Sequence, residues 1–179
     1  MKYRLAVPVV ALAALVSLPG CGYSLAGRGS FLPAYIKRIG VPLFTNNTPV
    51  IDFDRIVTEK VRTELIGRGK YTVVPETTGV DGILTGEIVS LTTAPAAFTD
   101  QRQASRYVFT LTAKIEFKDV KADKVIWSNP AMQFREEADV TTSNGILDPN
   151  TFFGQDINAR DRLASEFARS VISAILEAF

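Results

Sequence analysis

The chain has no histidine and one cysteine in 179 residues. Without histidine there is no His-based catalytic triad and no His-ligated metal. A lone cysteine cannot close an intrachain disulfide or supply a multi-cysteine zinc site. Charge of one sign is also lacking: 20 Lys and Arg against 19 Asp and Glu leave +1, so no overall positive field attracts a phosphate backbone and nucleic acid is not an expected partner. Long apolar runs are limited to one near the start. What remains is a globular composition, 46% hydrophobic and 22% charged, of a length suited to a single domain.

The apolar run extends from Leu5 to Leu18, follows Lys2 and Arg4, and ends at Pro19, Gly20 and Cys21. As a helix it would reach about 21 Å, short of the roughly 30 Å of a bilayer core, so it reads as a secretory signal peptide over residues 1–20 and not as a permanent span. Leu18-Pro19-Gly20-Cys21 resembles a bacterial lipobox, with Pro19 where such sequences mostly carry Ala, Ser or Thr. By that resemblance the Cys21 thiol takes a diacylglyceryl group, cleavage makes Cys21 the new N-terminus, and its amine is acylated. Several acyl chains hold a protein stably where one does not. Gly22 in place of Asp after the cysteine favours the outer membrane, again by resemblance to sorted lipoproteins. Loss of Lys2 and Arg4 from the 20 basic residues, against 19 acidic ones, leaves the mature chain at −1.

Residues 21–35 read as a lipidated tether, rich in glycine and docked through Tyr23, Leu25 and Phe31. The domain then runs over 36–179. Alternation at Ile39, Val41 and Leu43 predicts a strand over 36–44, with Pro42 at an edge or end. Phe53, Val57, Val61 and Leu65 recur every four residues and predict an amphipathic helix between Pro49 and Arg68, capped by Thr48 with Pro49 as its first residue and closed by Gly67 or Gly69. A short strand over 70–74 follows, then a strand over 83–91 with Leu84, Gly86, Ile88 and Ser90 on one face.

The clearest strand signal is 105–120. Tyr107, Phe109, Leu111, Ala113, Ile115 and Phe117 alternate with Thr110, Thr112, Lys114 and Glu116, which are expected to face water. Lys121 to Lys124 reads as a hairpin turn into a strand from Val125 to Trp127 that resumes at Met132 and Phe134 after Pro130. Asn144-Gly145 and Asp148-Pro149 mark a loop. A last helix over about 156–178 buries Leu163, Phe167, Val171, Ala174 and Ile175. This order predicts an α/β (α+β) two-layer sandwich: a mixed sheet of four to five strands with two helices packed on one face, a right-handed parallel crossover first and antiparallel hairpins later.

Carboxylate chemistry has two candidate pairs, Asp52 with Asp54 and Glu136 with Glu137; the first suits early helix turns and the second a solvated strand end. Gly67-Arg68-Gly69-Lys70 follows a helix instead of opening one, so it is no phosphate loop. Arg102 and Arg106 bracket the polar turn between two strands and have the fork that grips phosphate. No metal or cofactor is expected.

Cys21-Gly22-Tyr23 with Leu25, then Leu32-Pro33, Ile36, Ile39, Val41-Pro42, Phe44, Asn46 and Thr48, then Glu64-Leu65-Ile66 with Arg68, Asp81-Gly82 with Leu84, Gly86 and Ile88, and Val125 with Trp127 make an ordered set. By that set the mature chain resembles the LptE family of lipopolysaccharide-assembly lipoproteins. Ser105-Arg106 precedes Tyr107 where members often carry Glu, which adds positive charge where lipid A phosphates would be met. The resemblance implies a lipid-anchored protein at the periplasmic face of the outer membrane. It implies a protein with no enzymatic activity that plugs an LptD-type barrel and assists insertion of lipopolysaccharide into the outer leaflet. Arg102 and Arg106 are candidate lipopolysaccharide contacts because they flank an exposed turn and can form charge-assisted bonds to phosphate, and no family motif fixes them. The residues by themselves reach only a lipid-anchored periplasmic module. A scaffold that binds peptidoglycan or another envelope protein, and a carboxylate hydrolase, stand as the other readings.

Overall fold

The computed structural model describes residues 32–68, 70–100, 102, 104–139 and 157–177. The signal run, Cys21 and the tether up to 31, the cap at Gly69, and the loop of Asn144-Gly145 and Asp148-Pro149 lie outside them. The elements in chain order are β1 (Arg38–Gly40), β2 (Thr45–Asn46), α1 (Phe53–Gly67), β3 (Thr72–Val74), β4 (Gly82–Phe98), β5 (Ala104–Asp119), β6 (Lys124–Asp139) and α2 (Ile157–Leu176). No helix among the described residues is long and apolar enough to cross a membrane.

One mixed sheet has the order β3-β1-β4-β5-β6, with β2 also on β4. β1 pairs in parallel with β3 and with β4, β2 pairs in parallel with β4, and the two long hairpins β4–β5 and β5–β6 are antiparallel. Both helices join one core with a single face of this sheet. Val57, Val61 and Leu65 of α1 and Leu163, Phe167, Val171 and Ile175 of α2 are buried together with Leu84 and Ile88 of β4 and Tyr107 to Phe117 of β5. Ile172 and Leu176 extend the α2 stripe, and Ala174 is only half-buried. The two-layer sandwich expected from the sequence is the fold found.

The expected strand over 36–44 is cut short: only Arg38–Gly40 of it forms a strand, and β2 begins just past its expected end, at Thr45. Val41 turns its carbonyl to Arg62, whose Nε and Nη2 donate to it at 3.0 and 2.7 Å, and the Phe44 amide donates to Thr58 Oγ1 at 3.0 Å. Helix side chains thus satisfy the backbone where the ladder is interrupted. The break lets the Phe44 ring lie over Gly86, where an added Cβ would come within 2.3 Å of it. Gly86 is therefore a close approach of ring to backbone.

The expected start of α1 is also corrected. Asn46 Oδ1 accepts from the Thr48 amide at 2.9 Å and the Thr48 hydroxyl at 2.7 Å, while Asn46 Nδ2 donates to the Val50 carbonyl. Thr48 is thereby held in a side-chain turn and Pro49 stays outside the helix. The cap position falls on Asp52, left-handed at φ 60°, with no side-chain cap bond. At the other end Gly67 is the last helical residue and Arg68, in the right-handed region, takes the cap position. Arg68 also reaches Glu64 at 3.1 Å and Ser173 of α2 at 3.0 Å.

β4 runs on through Pro95 to Phe98, well past the expected end at Leu91. A bulge between Ile88 and Ser90 inserts Val89, so Leu91 turns to the core and Ser90 to the other face, against the expectation that Ser90 shares a face with Leu84 and Ile88. One extra residue in a period of two has that effect. β6 is likewise continuous, and Pro130 is absorbed at an irregularity between Asn129 and Met132, where Asn129 Oδ1 accepts the Ala131 amide.

The uncovered sheet face as candidate functional site

Since the helices occupy one side of the sheet, the other is built from the alternate residues of β4, β5 and β6. The register places Ser90, Thr92 and Ala94 of β4 beside Thr112, Thr110 and Val108 of β5, and these beside Gln133, Arg135 and Glu137 of β6. Across β4 and β5 this stretch holds only small or β-branched, uncharged side chains. Thr110 and Thr112 lie on the face away from the helices as expected, and are half-buried there where full exposure to water was expected.

Charge gathers at the two ends of the stretch. Toward β1 and β2, Glu87 lies opposite Lys114 and Thr85 opposite Glu116, around a shallow recess of about 290 Å³ that Thr45 closes. Asn47 Nδ2 donates to Glu87 Oε1 at 2.7 Å. Toward the β4–β5 turn stand Arg102 and Arg106. Arg102 is exposed, left-handed at φ 59°, and its amide donates to the Thr99 carbonyl. Arg106, 47% exposed, is on β5 with Nη1 3.7 Å from Glu137 Oε2. The structure thus brings both arginines to one end of the sheet, with a carboxylate beside Arg106. Arg135, exposed on the same face, was not singled out by the sequence reading; its alternation with Gln133 and Glu137 along β6 was the available signal.

Asp52 and Asp54 open α1. Glu136 and Glu137 are consecutive on a strand, so they point to opposite faces. No cluster of metal-binding side chains occurs among the described residues.

A second group of polar residues fixes the entry of the chain into the sheet. Asp119, 1% exposed, accepts the Tyr35 hydroxyl on Oδ2 and the Ala122 amide on Oδ1 at 3.0 Å. The Lys121 ammonium lies 4.8 Å from the Tyr35 ring centre. Asp81 Oδ2 accepts the amides of Lys37 and Arg38 at 2.9 and 2.8 Å. These bonds hold both carboxyls below the ordinary range, Asp119 chiefly through Tyr35 and Asp81 chiefly through the Arg38 amide, and the Tyr35 hydroxyl is raised chiefly by its bond to Asp119. Sequence spacing alone did not find this group, because its members come from separate segments.

Among known families, the model described as "LptE: Lipopolysaccharide-assembly" matches residues 36–176. Comparison with the curated proteins gives no match. Among solved structures, a PelC dodecamer from Paraburkholderia phytofirmans is similar with a TM-score of 0.50 at 15% identity, over 83% of this chain and 94% of that one. Lipoprotein GNA1162 from Neisseria meningitidis is similar at 0.46 and 16%, over 78% and 97%. The rare lipoprotein B from Shewanella oneidensis is similar at 0.46 and 13%, over 77% and 96%. At such identities the likeness is one of fold.

Proposed function

Because the chain belongs to the LptE family of lipopolysaccharide-assembly proteins, we propose that it is an outer-membrane lipoprotein that plugs an LptD-type barrel and assists insertion of lipopolysaccharide into the outer leaflet. Acyl chains on Cys21 tether it at the periplasmic face. It acts by binding and carries out no chemistry of its own. The observation that carries the reading is the family match over 36–176; the uncharged middle of the face of β4 and β5 away from the helices is its physical support, since a surface of Ser, Thr, Ala and Val can approach a wall closely without desolvating charge. Extraction in mild detergent tests it. A large β-barrel protein is expected to co-purify in stoichiometric amount, and recovery of peptidoglycan fragments with no barrel would replace the plug by a scaffold.

Arg102 and Arg106 are the proposed contacts for lipid A phosphate, through charge-assisted, bidentate bonds. Replacing both by Ser is expected to lower binding of purified lipopolysaccharide and flatten its salt dependence, with a change in stability within about 0.5 kcal/mol, as for other surface positions. Unchanged binding would remove them from the account.

A further inference from the structure

We propose that the open edge of β4, from Ser90 to Ala94, takes an extended, uncharged strand contributed by a partner protein. On this side of β4 the sheet is continued by β1 at Gly82 and Ile83 and by β2 at Glu87 and Ile88, and the last rung is the Asn47 amide donating to the Ile88 carbonyl at 2.9 Å. The chain then turns away toward α1. Beyond that point β4 is paired only with β5 among the described residues, so alternate backbone amides and carbonyls of its outer edge face an empty ladder position.

Exposed edges in soluble proteins are guarded by lysine, by short length or by covering elements. No charged residue occurs from Ile88 through Thr99, and the exposed Val89 (43%) and Phe98 (63%) stand at the two ends of the segment. Among the described residues the guards are Pro95 and the irregular pairing from Pro95 to Phe98, which limit the usable edge to the regular stretch before them. What fits is backbone, extended, with side chains small enough to lie beside Thr92 and Ala94 and without a charge to bury.

A second copy of this chain fits poorly. Centring a two-fold axis on the regular stretch would drive the partner's residues past Ala94 into the position β2 already holds. Moving the axis outward to clear β2 sets each copy's irregular Pro95–Phe98 against the other's regular edge. The geometry favours a free strand of a different protein, and it does not depend on that protein being a barrel.

The test is amide exchange over Val89–Phe98 in the lipoprotein as extracted in mild detergent, compared with the same chain stripped of partners in denaturant and refolded alone. Alternate amides of Ser90–Ala94 are expected to exchange at least about tenfold more slowly in the extracted particle. The double variant Thr92→Lys with Ala94→Lys should lose that protection. Thr85→Lys should keep it, because its charge sits on the same strand beside ladder positions already filled by β1 and β2. Equal exchange in both preparations overturns the inference, as does protection in a particle that contains only copies of this chain. A barrel present without edge protection sinks this inference and leaves the plug reading standing; edge protection by a partner that is not a barrel does the reverse.

Discussion

Asp119 is a buried carboxylate whose charge is held by hydrogen bonds from Tyr35 and from the Ala122 amide, and Asp81 is held in the same manner by two backbone amides. Both acids are lowered from the ordinary value of 3.8, so the folded state binds their protons less readily than the unfolded chain does. Their contribution to stability is therefore fully present above that value and lost as pH falls below it through the lowered ones. The raised Tyr35 hydroxyl gives the opposite limb, with stability lost as pH rises beyond 10.0. Urea unfolding across the acid range is expected to show a steep loss in the native protein and a shallower one in Asp119→Asn, which keeps the shape but not the charge. Identical acid limbs would show that the Tyr35–Asp119 contact carries no electrostatic stability.

At the scale of elements, the join between α1 and the segment that follows β1 rests on Arg62. Its fork satisfies the buried Val41 carbonyl and its Nη1 meets Glu59 at 2.5 Å. Lysine has no fork, so Arg62→Lys is expected to cost about 1 kcal/mol, and Arg62→Met, which removes the donors altogether, about 1–3 kcal/mol. Urea midpoints measure both, and equal stability of all three proteins would mean that water replaces the guanidinium at no cost.

The sequence made β5 legible because its apolar alternation runs unbroken from Tyr107 to Phe117, and both helices because their stripes follow a helical period. It hid the break after Gly40, where satisfaction comes from Arg62 and Thr58 on another element. The displaced start of α1 was hidden too, because Asn46 competes for Thr48. The bulge at Val89 escaped for a related reason: a run of Val, Ser, Leu and Thr reads as a strand on either register. Of the candidate site, Thr110 and Thr112 were legible from alternation and the two arginines from their turn. The edge of β4 depends on where β2 ends, which no local pattern states.

At the scale of the whole molecule, the two layers are unequal in what they offer. The helix layer buries one sheet face in a continuous core, and among the described residues the other face is uncovered, uncharged along Ser90–Ala94 and Val108–Thr112 of β4 and β5 and charged at its ends and along β6, where Arg135 and Glu137 lie. A near-neutral chain, +1 over the whole sequence, gives little long-range steering, so the proposed plug would gain its affinity from shape and burial, on the order of 2,000 Å² or more as in obligate complexes, and the complex is expected to withstand high salt. The most direct test of the plug is photo-crosslinking in intact cells from probes at Thr110 and Thr112, with probes on the exposed faces of α1 and α2 as comparison. Adducts to a large outer-membrane barrel protein from the two threonine positions are expected. Adducts confined to the helix faces would contradict the sheet-to-wall orientation, and the absence of barrel adducts from every position would contradict the barrel partnership itself.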